Sequence, residues 1–509
     1  MTDCTGTENE PAPLSYPARL REIAAARPDA VAIRWVPDHE ETCAITYSAL
    51  CRAADRLAQR LLDQGAHAGS MIGIVLPNGI PFFVALIAAW RIGACPTPIK
   101  PDMTDQERAP LMDLIRSPVL ISQDGGQPGP TVTAGEIAAM MREAEASDAP
   151  ATSVLPDIVP QRCWAIASGG STGTPKIIVN LRPASMAWQF AVTGGPTEPE
   201  TQLVCLPLYH TSALSMSVRS LLAGDEIILL PRFNAVCVAD AIEHYRVALV
   251  SLVSAAMVRL ARLPELTPER LASVRQIITG GGAFSDDLLR EWSRLVGAEK
   301  ILFGFGASEA IGACAITGDE LLKRPGCVGK PTTCDVRILD EDGSDLPAGE
   351  VGEIYMRNHS GDSQAFDYLG RDVPRKRPDG FVSVGDVGWL DADGYLYISD
   401  RRTDMIKTGG VNVFPAEVEA ALVSMPEIVD AVVLGLPDPD WGRALHAVVV
   451  GADPQNLPDV QSIRRFLRAR LTSHKVPKTF EFLPSLGRTD TLKLNRRAMT
   501  EERIGACQS

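Results

Sequence analysis

Long apolar runs are missing from this chain. The longest, Ile80 to Trp90, contains a proline and covers roughly half a membrane span, so a buried helix is expected there. A basic excess is missing too. Lys and Arg number 49 against 63 Asp and Glu, a net charge of −14. With a pI near 5.1, that balance argues against nucleic acid as a general partner, because neutralising phosphates needs a basic surface. The local run Arg464, Arg465, Arg468 and Arg470 reads as one solvated helix face, with contact to a nucleotide tail as the alternative. The 11 cysteines are dispersed, with no CxxC pair and no zinc spacing. Reduced core thiols follow, as in a cytosol. The first residues are polar and acidic and lack the basic-then-apolar pattern of a signal peptide. A soluble cytoplasmic protein, with no membrane and no nucleic acid among its partners, is expected.

A chain of 509 residues is too long for one core and predicts two to four domains. Apolar content of 45% and charged content of 22% are ordinary for a soluble globular protein. Residues 15–120 alternate helical and strand-like pieces: a helix over Ala49–Leu62, a buried strand at Met71–Leu76, a helix at Pro81–Trp90. The alternation continues through strands at Leu203–Leu206, Ile227–Leu230, Val247–Val253 and Arg275–Ile278, which predicts helix-covered, mostly parallel sheets. From Val336 to Ile398 the texture changes to short strands with Asp-Gly turns, the pattern of a β-barrel-like antiparallel region. After Arg401 comes a small α+β piece, with helices at Pro415–Met425 and Val460–Leu471 and strands at Ile428–Leu434 and His446–Val450. Residues 124–153, rich in Gly, Pro and Ala, read as a surface excursion.

The most informative stretch is Ser168-Gly-Gly-Ser-Thr-Gly-Thr-Pro-Lys176, set between two strand-like segments. Such a loop can wrap backbone N–H groups and hydroxyls around phosphate oxygens while Lys176 adds charge. It is not a Walker loop, because no Lys-Ser/Thr pair follows the last glycine. Taken alone, it is also compatible with a plain linker.

Three further segments follow: Phe305-Gly-Ala-Ser-Glu309, Val384-Gly-Asp386, and Asp400 to Gly410 running on to Glu419. With Ile45-Thr-Tyr-Ser-Ala-Leu50 near the start and Lys493 near the end, they lie in one order along nearly the whole chain. In that order they resemble the motifs of the adenylate-forming enzymes: acyl-CoA synthetases, peptide-synthetase adenylation domains and luciferases. The resemblance implies an α/β fold with a large N-terminal adenylation domain, residues 1–400, and a small mobile C-terminal domain, residues 401–509. The pivot between them would be at Arg402–Thr403.

It also implies roles. Ser168, Gly169, Gly170, Ser171, Thr172, Gly173 and Lys176 would cradle the phosphates of ATP. Glu309 would hold Mg²⁺, with Ser308 keeping the hydroxyl of the usual Thr, and Phe305 and Gly306 would lie against adenine. Asp386 would take the ribose hydroxyls and Arg401 the ribose or phosphate. His210, in Leu206-Pro-Leu-Tyr-His210, would be a catalytic residue near the acyl pocket, and Gly281, Gly282 and Ala283 would lie between adenine and the acyl group. Lys493 would bridge the carboxylate and the α-phosphate, although Leu492 replaces the glycine that usually precedes it. Small residues such as Ser251, Ser254, Ala255 and Ala256 imply a roomy apolar pocket for a bulky cyclic, aromatic or longer acid. No acidic residue stands ready to pair an amino group, which disfavours an amino acid.

For the acceptor, Trp441 matches a place where aryl-CoA ligases stack the adenine of CoA, and Gly409 and Gly410 would line the pantetheine channel. CoA is therefore the expected acceptor. An amine, as in stand-alone amide synthetases, is the alternative, because Ile177 after Lys176 and Phe305 depart from typical fatty-acyl ligases. A non-catalytic sensor of acyl-adenylate is disfavoured by the retention of Lys176, Glu309, Asp386, Arg401 and Lys493.

Overall fold

The computed structural model describes residues 14–38, 41–125, 129–147, 155–169, 175–187, 198–281, 284–359, 365–370, 376–401, 404–408, 411–488 and 494–508. Two compact units emerge. One comprises Met1–Ala167, Ile177–Glu200 and Leu208–Pro231; the other comprises Ser168–Lys176, Thr201–Pro207 and Arg232–Ser509.

In the first unit a four-stranded parallel sheet runs in the order Cys95–Pro98, Met71–Val75, Leu120–Ser122, Thr131–Thr133. Its helix Ile80–Arg91 is buried along its length, as the apolar run predicts, and Pro81 sits in the first turn, where no helical N–H is lost. No helix among the described residues is long and apolar enough to cross a membrane. The segment Ile45–Leu50 starts the helix Tyr47–Asp63. Thr46 caps it by accepting from the Ala49 N–H, and the buried Tyr47 hydroxyl donates to the carbonyls of Asp225 and Leu221 at 2.7 and 3.1 Å. These bonds give that motif a structural job.

The expected surface excursion is corrected in part. Within it lie the strand Thr131–Thr133 and the helix Ala134–Glu145, closed by a reciprocal capping box between Thr133 and Glu136. The helix buries Ile137 and Ala144 and packs on Tyr47–Asp63. Residues 126–128 and 148–153 lie outside the described set.

In the second unit the strands Thr201–Val204, Leu249–Val253, Gln276–Gly280 and Ile301–Gly306 pair in parallel, with the helices Ser254–Ala261 and Asp286–Val296 between successive strands. The sheet then turns antiparallel through Ala313–Thr317, Cys327–Pro331, Leu396–Arg401, Val382–Leu390, Gly352–Asn358 and Cys334–Leu339. This is the change of texture read from the Asp-Gly turns. Gly343 and Gly394 adopt φ of 84° and 81° there, a region side chains avoid.

The C-terminal segment has its own core. Val418, Leu422, Val433, Ala447, Val449, Ile463 and Leu467 cluster under the antiparallel pair Ile428–Asp438 and Gly442–Gly451. Helix Val460–Arg468 buries only Ile463 and Leu467, leaving Arg465 and Arg468 exposed, as the solvated-face reading has it.

Candidate active site

Two motifs far apart in sequence meet at one point. Lys176 lies on the strand Pro175–Asn180, next to the Ala165–Gly169 strand in a small sheet, so the hydroxyl-rich loop joins two neighbouring strands. Glu309 follows the strand Ile301–Gly306 in a turn closed by Ala310 N–H to Ala307 O at 2.9 Å. Lys176 Nζ stands 3.6 Å from Glu309 Oε1, with both side chains 15% exposed. Tyr368, on the strand Phe366–Leu369, completes the cluster. Its hydroxyl donates to Glu309 Oε1 and accepts from Lys176 Nζ at 3.3 Å. The ammonium also lies 4.3 Å from the Tyr368 ring centroid, within cation–π range.

The turn carrying Glu309 is strained. Ala310 has φ of +53°, one of three non-glycine residues with positive φ among those described. Left-handed backbone costs a side-chain-bearing residue about 1–2 kcal/mol. Surrounding structure therefore holds this turn in place.

Asp386 and Arg401 face one another as partners in the antiparallel pair Val382–Leu390 and Leu396–Arg401. Phe305 is half-buried opposite Cys314, Gly306 is exposed beside it, and Ser308 is exposed. Gly281 is exposed with φ of +75°. Its neighbour Gly280 pairs with Gly304, and a Cβ there would stand 2.2 Å from the Gly304 carbonyl oxygen. Contact between strands thus requires a bare backbone at this point.

His210 belongs to the other compact unit. It is the N-cap residue of helix Thr211–Ala223, half-buried, with its ring 4.6 Å from that of Tyr209. Trp441 lies at the turn between Ile428–Asp438 and Gly442–Gly451, 42% exposed, with Lys478 Nζ 4.1 Å from the ring centroid. Asp438 fixes that turn by accepting from the N–H groups of Asp440 and Trp441, both at 3.0 Å. Gly170, Ser171, Thr172, Gly173, Gly282, Ala283, Gly409, Gly410 and Lys493, together with the pivot Arg402–Thr403, lie outside the described residues. Of Ser168, Gly169 and Arg401 only the backbone is described.

The Glu309 carboxylate is a hard oxygen donor and fits Mg²⁺. Among the described residues no group of three or more His, Cys, Asp or Glu could hold a metal. The cysteines whose side chains are described are free thiols, and burial pushes Cys51, Cys95 and Cys205 up to about 12. They are inert packing groups.

Tyr368 is the member of the cluster that sequence reasoning missed. It falls between two motifs, in a stretch of no evident chemistry. The signal available was the alternation Phe366-Asp367-Tyr368, which puts both aromatics on one face of a strand.

The chain resembles known proteins along most of its length. The sequence model of the AMP-binding enzymes matches residues 20–361, and that of the AMP-binding enzyme C-terminal domain matches residues 417–493. A feruloyl-CoA synthase from Amycolatopsis is 32% identical over 94% of this chain and 97% of its own length. A 2-succinylbenzoate–CoA ligase from Bacillus licheniformis is 29% identical over 96% of this chain and 100% of its own. Among solved structures, the amide bond synthetase McbA from Marinactinospora thermotolerans shares the fold, with a TM-score of 0.75 at 23% identity over 97% of this chain and 99% of that one.

Proposed function

This chain belongs to the AMP-binding enzyme family, and from that premise we propose that it activates a bulky carboxylic acid with ATP and passes the acyl group to CoA. The observation that carries the first step is the meeting of Lys176 and Glu309 at 3.6 Å. The acid's carboxylate attacks the α-phosphorus, pyrophosphate leaves, and an acyl-adenylate remains. Such a reaction asks a protein chiefly for positioning and charge neutralisation. Lys176 supplies a cation beside the phosphates, and Glu309 would hold Mg²⁺, which would supply further charge neutralisation there. Asp386 holds the ribose hydroxyls and Phe305 lies against adenine. Lys493 meets the charge that develops between carboxylate and α-phosphate. A pocket wall of small residues admits a cyclic, aromatic or longer acyl group.

Residues 1–400 act as the adenylation domain and 401–509 as a mobile domain pivoting at Arg402–Thr403. One orientation presents Lys493 for adenylation; the other presents Gly409 and Gly410 for transfer. The CoA reading is supported by two relatives named as CoA ligases and by the exposed Trp441 ring at a fixed turn. An amine acceptor is the second reading. It rests on Phe305 and on Ile177, which is fully buried directly after Lys176.

ATP–pyrophosphate exchange with a panel of aryl, cyclic and long-chain acids tests the first step without any assumption about the acceptor. Exchange above the acid-free rate with at least one bulky acid is expected. A flat panel would remove the proposal.

A further inference from the structure

We propose that Tyr368 is a positioning residue that divides the contacts of Lys176 and Glu309 with itself and so sets which oxygen of Glu309 meets Mg²⁺. The inference rests on the ATP-dependent reading above and goes beyond it. A lysine and a glutamate this deeply enclosed tend to close into a direct hydrogen-bonded pair at roughly 2.7–2.9 Å. Here the separation is 3.6 Å, and the phenol oxygen sits to one side, bonded to both groups. Its oxygen takes the ammonium at 3.3 Å, and its proton goes to Glu309 Oε1. The ring adds a second hold, with the ammonium 4.3 Å from its centroid. Both contacts of Glu309 run through Oε1, so among the described residues Oε2 is the oxygen left for a cation.

The consequence is electrostatic. A closed Lys–Glu pair would spend both charges on each other, and the phosphates and Mg²⁺ would have to break it before binding. The phenol satisfies one carboxylate oxygen without neutralising the carboxylate, and it steadies the ammonium while leaving its charge intact. Tyr368 is itself well anchored. It is 8% exposed, its ring lies 5.5 Å from that of the buried Phe366, and its backbone N–H bonds Asp367 Oδ1 at 2.8 Å. The position is therefore a fixed third partner to the pair.

Tyr368→Phe keeps the ring and deletes the oxygen, so Lys176 and Glu309 are free to close on each other. Isothermal calorimetry of ATP binding, with Mg²⁺ and with EDTA, reads the effect without knowledge of the acid. In the wild type Mg²⁺ should tighten ATP binding, and in Tyr368→Phe that Mg²⁺-dependent gain should shrink about tenfold, the scale of one hydrogen bond to a charged group. The Mg²⁺ concentration for half-maximal pyrophosphate exchange should rise by a similar factor, with the melting temperature nearly unchanged. In a Glu309→Gln background Tyr368→Phe should add little further loss, because the carboxylate it acts on is gone. Should Tyr368→Phe fold poorly, 3-fluorotyrosine at position 368 keeps the donor, and its ¹⁹F resonance should shift with ATP plus Mg²⁺ but not with ATP in EDTA. Wild-type Mg²⁺ dependence in Tyr368→Phe, full additivity with Glu309→Gln, or an unmoved ¹⁹F resonance would each overturn the assignment. Wild-type protein that binds no ATP would instead sink the underlying functional reading.

Discussion

Trp441 shows how much one residue can decide. Its indole is exposed on a turn fixed by Asp438, with Lys478 against its ring, and under the proposed function it would be a platform for a flat group attached to phosphates. If that group is the adenine of CoA, Trp441→Ala removes stacking of about 1–3 kcal/mol. The apparent KM for CoA should then rise roughly tenfold to a hundredfold while pyrophosphate release is spared. Steady-state kinetics with varied CoA measure both, and an unchanged KM would dismiss the platform. At this scale the sequence was readable where chemistry comes packaged in a motif. Lys176 and Glu309 could be named because each sits in a recognisable run, but their contact is a product of the fold. Tyr368 could not, since its role comes from a tertiary contact and its neighbours carry no signature. The need for glycine at position 280 was not legible, because the Gly304 carbonyl that crowds it lies on another strand.

Among the elements, the long apolar helix and the parallel strands were legible from periodicity, because burial on both faces leaves continuous apolar runs. The helix Ala134–Glu145 was hidden by the glycines and prolines around it, although its Thr133–Glu136 capping box is itself a sequence signature. In the C-terminal segment, strand Thr479–Phe482 and helix Arg496–Gln508 are joined by a polar network no motif announced. Arg503 clasps the Glu481 carboxylate at 2.7 and 3.0 Å, and Glu481 reaches His446 Nε2 at 3.3 Å. His446 Nδ1 lies 2.8 Å from Thr479 Oγ1. Burial holds His446 below its ordinary 6.5 despite Glu481, which pulls upward, and Arg503 adds to the lowering. Arg503 holds Glu481 below the usual carboxylate range, with His446 assisting. The unfolded chain therefore protonates His446 first as pH falls below 6.5. Stability is lost from there down to the lower folded value. The Glu481 contribution persists to more acidic pH and is lost as pH falls through its own lowered value. Urea unfolding should show the midpoint dropping between pH 7 and pH 5.5 in the wild type. His446→Gln should flatten that drop, and an identical slope in both proteins would refute the assignment.

Over the whole molecule, the order of motifs was clear along the chain, but its division in space was not. Each compact unit is assembled from separated segments, with the short stretches Ser168–Lys176 and Thr201–Pro207 joining the later part of the chain. Exchange of that kind leaves no mark in composition. Lys493 precedes in sequence the helix Arg496–Gln508, whose first residue bonds Asp404 at 3.1 Å and also Glu419. Asp404 directly follows the proposed pivot, so in the proposed motion Lys493 would travel with it. Lys493→Ala should therefore lower adenylation by about 10²–10³-fold, the scale of one lost preorganised donor. ATP binding and thioester formation from preformed acyl-adenylate should be affected far less. Thr403→Pro restricts φ at the pivot and should slow transfer more than adenylation. Single-turnover assays of the two half-reactions separate these effects, and equal slowing of both steps by Thr403→Pro would count against a pivot there.

The most direct test of the central claim is mass spectrometry of the products formed by wild-type protein from ATP, Mg²⁺, a panel of bulky acids and either CoA or a low-millimolar amine. The account predicts AMP, pyrophosphate and an acyl-CoA thioester from at least one acid. Amide from the amine, with no thioester from any acid that the protein adenylates, would contradict it.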